Sequence, residues 1–188
     1  MRHIDLNIIE LFDIHLTENN VSYSASIIGG AAIMLVANSL RPTGDIDSVI
    51  LIPDHIKVEI AKFARKQGIV ETWFNDNASR NIRDFIKENE NVFVHLIFSG
   101  QSLKLFTPSM KTLLVSKIYP ILDRADEGKD LQDIENLIRA KVVTKEDLEE
   151  AIDTFEYEIR FESDSATRKN SWEIVKYLRT FSENSFEI

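Results

Sequence analysis

Residues 27–50 read IIGGAAIMLVANSLRPTGDIDSVI, and the fold turns on how this stretch is parsed. An apolar run ending in Ile27-Ile28 meets Gly29-Gly30. A second apolar run covers residues 31–38, and after a loop Asp45 and Asp47 lead into a third, Ser48-Val49-Ile50-Leu51-Ile52. The order is strand, glycine pair, helix, loop, acidic strand. Side chains on a strand alternate with period two, so Asp-x-Asp places both carboxylates on one face, where they converge on a single hard cation. A glycine pair at a strand-to-helix junction lets backbone N–H groups and the positive helix end approach a phosphate with no Cβ in the way. Metal and phosphate are therefore expected in one cleft. Taken alone, Asp45 also fits a plain loop terminus after Arg41-Pro42-Thr43-Gly44; the ordered context favours the metal reading.

With these elements in order, the sequence resembles the nucleotidyltransferase superfamily, the fold of DNA polymerase beta and kanamycin nucleotidyltransferase. It is most similar to the toxin-like branch of abortive-infection systems. That branch shows Gly-Gly-Ala-Ala followed by Arg-x-Thr-x-Asp-x-Asp, matched by Gly29, Gly30, Ala31, Ala32, Arg41, Thr43, Asp45 and Asp47. A Trp-x-Asn-Asp segment is matched by Trp73, Asn75 and Asp76. A Leu-Leu-x-x-Lys helix, a later Arg and an Asp-Leu-x-Asp-Ile segment are matched by Leu113, Leu114, Lys117, Arg124, Asp130, Leu131, Asp133 and Ile134. The resemblance implies an α/β (α+β) fold, a mixed sheet flanked by helices with a C-terminal helical segment. It also implies Mg²⁺ on Asp45 and Asp47, and a nucleoside triphosphate held by Gly29, Gly30, Arg41, Thr43, Lys117 and Asp130. The implied reaction moves a nucleoside monophosphate to a hydroxyl of RNA, tRNA ends included, or of a protein. An antitoxin is the implied partner.

Composition bounds the alternatives. A chain of 188 residues, 44% hydrophobic, is long enough for one sizeable core or for an α/β unit with a helical appendage. With no cysteine, disulfides, thiolate zinc sites and cysteine nucleophiles are excluded. A formal net charge of −9 repels polyanions and argues against coating DNA, while a nucleotide enzyme needs only a few placed cations beside Mg²⁺. Arg41, Arg80, Arg83, Lys117 and Arg124 are the cations expected at the cleft; Lys62, Arg65 and Lys66 read as the wet face of a helix. No run has bilayer length, and the N-terminal MRHIDLNIIELFDIHL reads as an amphipathic helix, so a cytoplasmic protein with no membrane contact is expected.

Along the chain, the apolar spacing predicts a helix over residues 2–18, a strand at 21–28, and a helix over 54–67 closed by Gly68. Residues 73–81 read as a loop, 91–98 (NVFVHLIF) as a strand, and 103–106 as a further short strand. From Thr107 the chain turns helical. Thr107-Pro108 reads as an N-cap with proline at the first helical position, opening a helix to about residue 122. Residues 129–140 follow, then a capping box at Thr144 and Asp147, and a last helix over residues 166–182. The boundary is expected at 106/107, with a nucleotidyltransferase-like core over 1–106 and a helical segment over 107–188 packed on it.

Two points depart from the resemblance or leave alternatives open. Active members of the superfamily carry a third carboxylate on a later strand, and NVFVHLIF contains none. His95 is its only ionisable group, a candidate general base or metal ligand that also fits a hydrogen-bonded core histidine. Glu88, Glu90 and Asp76 are the alternative acids. A catalytically degenerate member, acting by nucleotide binding or protein interaction, is the competing function. Asp130 and Asp133, three apart on a helix, also fit structural ion pairs with Lys117 or Arg124, and Trp73 fits either a base-pocket rim or the core.

Overall fold

A computed structural model describes residues 3–39, 43–81, 91–123, 128–159 and 165–186, and the chain divides into two units, Met1–Ser109 and Met110–Ile188. Arg41, Arg83, Glu88, Glu90 and Arg124 lie outside the described residues.

The first unit begins with α1 (Leu6–Glu18), which starts where the Asp5 side chain accepts from the Ile8 N–H at 3.0 Å. Then come β1 (Tyr23–Ile28), α2 (Gly29–Val36), β2 (Ile46–Ser48) and α3 (Asp54–Gln67), the last capped by Gly68 as its sequence predicts. The segment expected as a loop holds β3 (Phe74–Asn75) and a single turn, α4 (Ala78–Asn81). Two antiparallel strands, β4 (His95–Ser99) and β5 (Leu103–Thr107), complete the sheet.

Strand order is β3-β2-β1-β5-β4. β1 runs parallel to β5 and antiparallel to β2, and β2 runs parallel to β3. The sheet is mixed, as the sequence predicts. Its core is built from one side of α1 and α3: Ile8, Ile9, Phe12 and Leu16 with Ile56, Ile60 and Phe63, all at most 2% exposed. Phe12 lies 5.2 Å from both Phe63 and Trp73 by ring centroids, an edge-on arrangement for the Phe12–Trp73 pair. Trp73 is fully buried there, so of its two readings the core one holds.

Three expectations are corrected. The acidic strand is short, because the Ser48 hydroxyl donates to Ile50 O at 2.7 Å and accepts from Ile50 N–H at 3.2 Å, which turns the chain after Ser48. Residues 91–94 do not join β4; Asn91 Oδ1 accepts the Phe93 N–H at 3.0 Å, a local turn that competes with the ladder. Thr107 is not an N-cap. It pairs with His95 in the sheet, and the helix starts at Met110.

The second unit is helical: α5 (Met110–Asp123), α6 (Gly128–Arg139), α7 (Lys145–Ile159) and α8 (Ser165–Ser185). Leu113, Leu114 and Ile118 meet Ile134, Leu137, Leu148, Ile152, Phe155 and Leu178 in its core. The capping box at the start of α7 forms as predicted. Asp147 Oδ2 accepts the Thr144 N–H at 2.8 Å, and Thr144 Oγ1 accepts the Asp147 N–H at 3.1 Å. No helix among the described residues is long and apolar enough to cross a membrane.

Candidate functional site

β1 ends at Ile28 and α2 starts at Gly29 with no intervening loop. Gly29 makes the corner with φ of +74°, a left-handed conformation that a side chain disfavours. Ile28, at the N-cap position, offers no side-chain acceptor to the first turn of α2, so its N–H groups are not capped from there.

What lies over that turn is the second half of the motif. Ile28 pairs directly with Asp47 across β1 and β2. A Cβ on Gly29 would stand 3.1 Å from Asp47 Oδ2, and one on Gly30 would stand 2.8 Å from Thr43 Oγ1. The two glycines therefore serve close approach: the turn is a cradle that two methyl groups would fill. Thr43 is held in place by a two-bond bridge to Ile4, with Ile4 N–H to Thr43 O at 2.8 Å and Thr43 N–H to Ile4 O at 3.0 Å. Asp45 precedes β2 and is exposed, while Asp47 is half-buried within it.

Asn75 completes the surroundings of Asp47. It is the direct partner of Asp47 in the β2–β3 pairing, and its Nδ2 donates to Asp47 Oδ1 at 3.2 Å. In the sequence it is visible as the asparagine of the Trp-x-Asn-Asp segment, a match that assigns it no role beside Asp47. Asp76, the next residue and one of the alternative third acids, faces elsewhere: it accepts the Ile52 N–H at 3.0 Å and pairs with Lys57 at 3.0 Å. Burial, the largest influence on this carboxyl, pushes its pKa up, but the Ile52 N–H and the Lys57 ammonium together hold it below the usual carboxylate value.

The structure brings Gly29, Gly30, Thr43 and Asp47 together and does not bring His95 to them. β1 and β5 separate β2 from β4 in the sheet. The register also sets the face. Ser26 pairs with Phe106, so Phe106 shares the face of Ile28 and Asp47, and His95 pairs with Thr107, one residue further on. His95 thus belongs to the opposite face, and it is exposed, which sets aside its reading as a core histidine.

Lys117 and Asp130 do come together, within the second unit. Lys117 Nζ lies 3.1 Å from Asp130 Oδ1 and 2.7 Å from Asp133 Oδ2, and all three side chains are at most 10% exposed. A phosphate contact by Lys117 requires that one of these carboxylates yield it. On the surface of α3, Lys62 and Arg65 pair with Glu59 and Glu71, the wet face their spacing predicts.

A metal can be tested against these groups. Asp47 offers a hard oxygen donor beside a cradle kept clear of Cβ atoms, and the exposed Asp45, two residues earlier, is a second donor of the same kind; such a pair suits one Mg²⁺ shared with a phosphate. Among the described residues no cluster of three or more histidine and acidic side chains is placed to hold a metal ion by itself.

A glycine turn opening a helix beside an Asp-x-Asp strand in a mixed sheet is the arrangement of a nucleotidyltransferase. The chain belongs to the family described as "Nucleotidyltransferase of unknown function (DUF6036)", whose model matches residues 6–181. No curated protein and no solved structure matches it.

Proposed function

We propose that the chain transfers a nucleoside monophosphate from a Mg²⁺-bound nucleoside triphosphate to a hydroxyl of RNA, tRNA ends included, or of a protein. The observation that carries this reading is the juxtaposition of the Gly29-Gly30 turn with Asp47, the glycine closest to the carboxylate being the first residue of α2. Backbone N–H groups at the start of α2 would bind phosphate oxygens, Thr43 would add a hydroxyl, and Asp45 and Asp47 would hold the Mg²⁺. When bound, the ion supplies neutralisation of phosphate charge. The acceptor oxygen bonds to the α-phosphorus while the bond to the bridging oxygen breaks, pyrophosphate leaves, and the hydroxyl proton passes to water on the exposed Asp45 side.

The resemblance to toxin-like members supports RNA or protein as the acceptor and an antitoxin as the partner. It also keeps Arg41, Lys117 and Asp130 as nucleotide contacts. One observation favours a second reading, a member that binds nucleotide without transfer: the neighbour of Asp47 on the adjacent strand is the amide Asn75, not a carboxylate.

The experiment is incubation with each α-labelled nucleoside triphosphate, Mg²⁺, total RNA and total cell protein, comparing the native chain with Asp45→Ala/Asp47→Ala. Label incorporated by the native chain and lost in the variant supports transfer, and the labelled fraction names the acceptor. Background incorporation by both folded proteins, with Mg²⁺-dependent nucleotide binding only by the native one, supports the second reading.

A further inference from the structure

Asn75 is oriented by everything around it. Its Nδ2 faces three acceptors, Asp47 Oδ1 at 3.2 Å and the carbonyls of Ile46 and Thr72 at 3.5 Å, and its Oδ1 accepts the Asn77 N–H at 3.0 Å. Reversing the amide would set oxygen against oxygen three times, so the network determines which end meets Asp47. The other oxygen of that carboxylate, Oδ2, lies toward Gly29 and the start of α2.

We propose that Asn75 is a positioning residue that holds Asp47 by Oδ1 so that Oδ2 is presented to the cation. Being an amide, it also keeps the site at two negative charges, so that the metal is taken up as its nucleotide complex and not beforehand. This rests on the nucleotidyltransferase reading above. Two carboxylates, one of them exposed, make a poor cage for a free divalent ion. Mg²⁺ is commonly held by one or two carboxylates together with the phosphates that accompany it. A third carboxylate at this position would change that balance. Asn75→Asp would place a negative group against Asp47 Oδ1 and the two carbonyls, an arrangement that a bound cation relieves.

The test uses the full chain and Mn²⁺ as probe, with and without a non-hydrolysable nucleoside triphosphate of each base. In the native protein, the side-chain amide resonances of Asn75 are expected to broaden at Mn²⁺ concentrations that leave them sharp when nucleotide is omitted. By calorimetry, Asn75→Ala is expected to weaken Mn²⁺–nucleotide binding by about ten-fold, the scale of groups that orient metal ligands. Asn75→Asp is expected to bind Mn²⁺ without nucleotide several-fold more tightly than the native chain, and to melt lower in chelator with recovery on adding Mn²⁺. Native affinities in both variants, with binding abolished in Asp47→Ala, would overturn the role of Asn75 and leave the metal site standing. Equal binding by native protein and Asp47→Ala would instead remove the metal reading, and this proposal with it.

Discussion

Thr43 Oγ1 stands 2.8 Å from the point that a Cβ on Gly30 would occupy, and Thr43 Cβ stands 3.3 Å from it. The loop leading into Asp45 therefore closes directly onto the first turn of α2, and the Ile4 bridge prevents it from backing away freely. Gly30→Ala is expected to cost about 1–3 kcal/mol of stability, the usual range for overpacking. Thr43→Ala removes the nearer contact. The double variant should be less destabilised than the sum of the two single ones, because the sites share one clash. Denaturant unfolding of the four proteins measures this; simple additivity would mean that the loop does not rest on the helix start.

Asp13 joins α1 to the turn between β4 and β5. Its Oδ1 accepts the N–H groups of Ser102 at 2.7 Å and Leu103 at 2.6 Å, and Oδ2 accepts that of Gln101 at 2.9 Å. Gly100 must be a glycine here, since a Cβ would fall 2.2 Å from Asp13 Cγ. Asp13→Ala strips three donors of a charged acceptor and is expected to cost about 2–3 kcal/mol. Asp13→Asn should fail to recover it, because its NH₂ group opposes at least one N–H. Thermal unfolding of both variants decides the point: recovery by asparagine would show that shape matters there more than charge.

What could be read from the sequence was local. The Gly68 cap, the Thr144–Asp147 capping box and the glycine corner depend on residues a few positions apart, and each formed where its pattern lies. Two failures are local, the side-chain turns at Ser48–Ile50 and Asn91–Phe93 that cut strands short, and the others involve partners distant in sequence. β3 has two residues and is a strand only because Phe74 and Asn75 find Ile46 and Asp47. Thr107 has the chemistry of an N-cap, yet strand pairing with His95 claims it. Nor could sequence show which face His95 takes, because a slip of one residue in register exchanges the faces. Asp47, Gly29, Gly30 and Thr43 were legible as a group because the motif spans one strand, one helix and one loop. Asn75 was legible only as part of the Trp-x-Asn-Asp segment; its contact with Asp47 was not, since that contact exists only across the sheet.

Acid should weaken the first unit through two carboxylates. The Lys62 ammonium, hydrogen-bonded at 2.7 Å, is the largest influence on Glu59 and outweighs burial; His15 adds a further bond from Nε2 at 3.0 Å. The Glu59 pKa thus lies below its ordinary 4.5, and that of Asp76 below its ordinary 3.8. Both groups bind protons less readily folded than unfolded. Their contribution is complete above the ordinary values and is lost as pH falls through the depressed ones. Glu59→Gln is expected to lower stability at pH 7 and to flatten the decline below about pH 4.5. Unfolding free energies from pH 7 down to pH 3 measure both effects; an acid limb of unchanged slope would assign the sensitivity to other groups.

Lys117 lies between two carboxylates that α6 presents three residues apart, Asp130 and Asp133, all nearly removed from solvent. Taking out the ammonium removes the cation beside two buried carboxylates, whereas a lysine reserved for a nucleotide phosphate would be dispensable until nucleotide arrives. Lys117→Met is therefore expected to destabilise the nucleotide-free chain by about 3–5 kcal/mol, the range for breaking a buried ion pair. Lys117→Met/Asp133→Asn, which removes one negative charge as well, should recover part of the loss. Nucleotide-free unfolding curves of the three proteins at pH 7 separate the two roles. Unaltered stability in Lys117→Met would assign the lysine to the nucleotide, as the resemblance implies, while the expected loss would assign it first to holding α5 against α6.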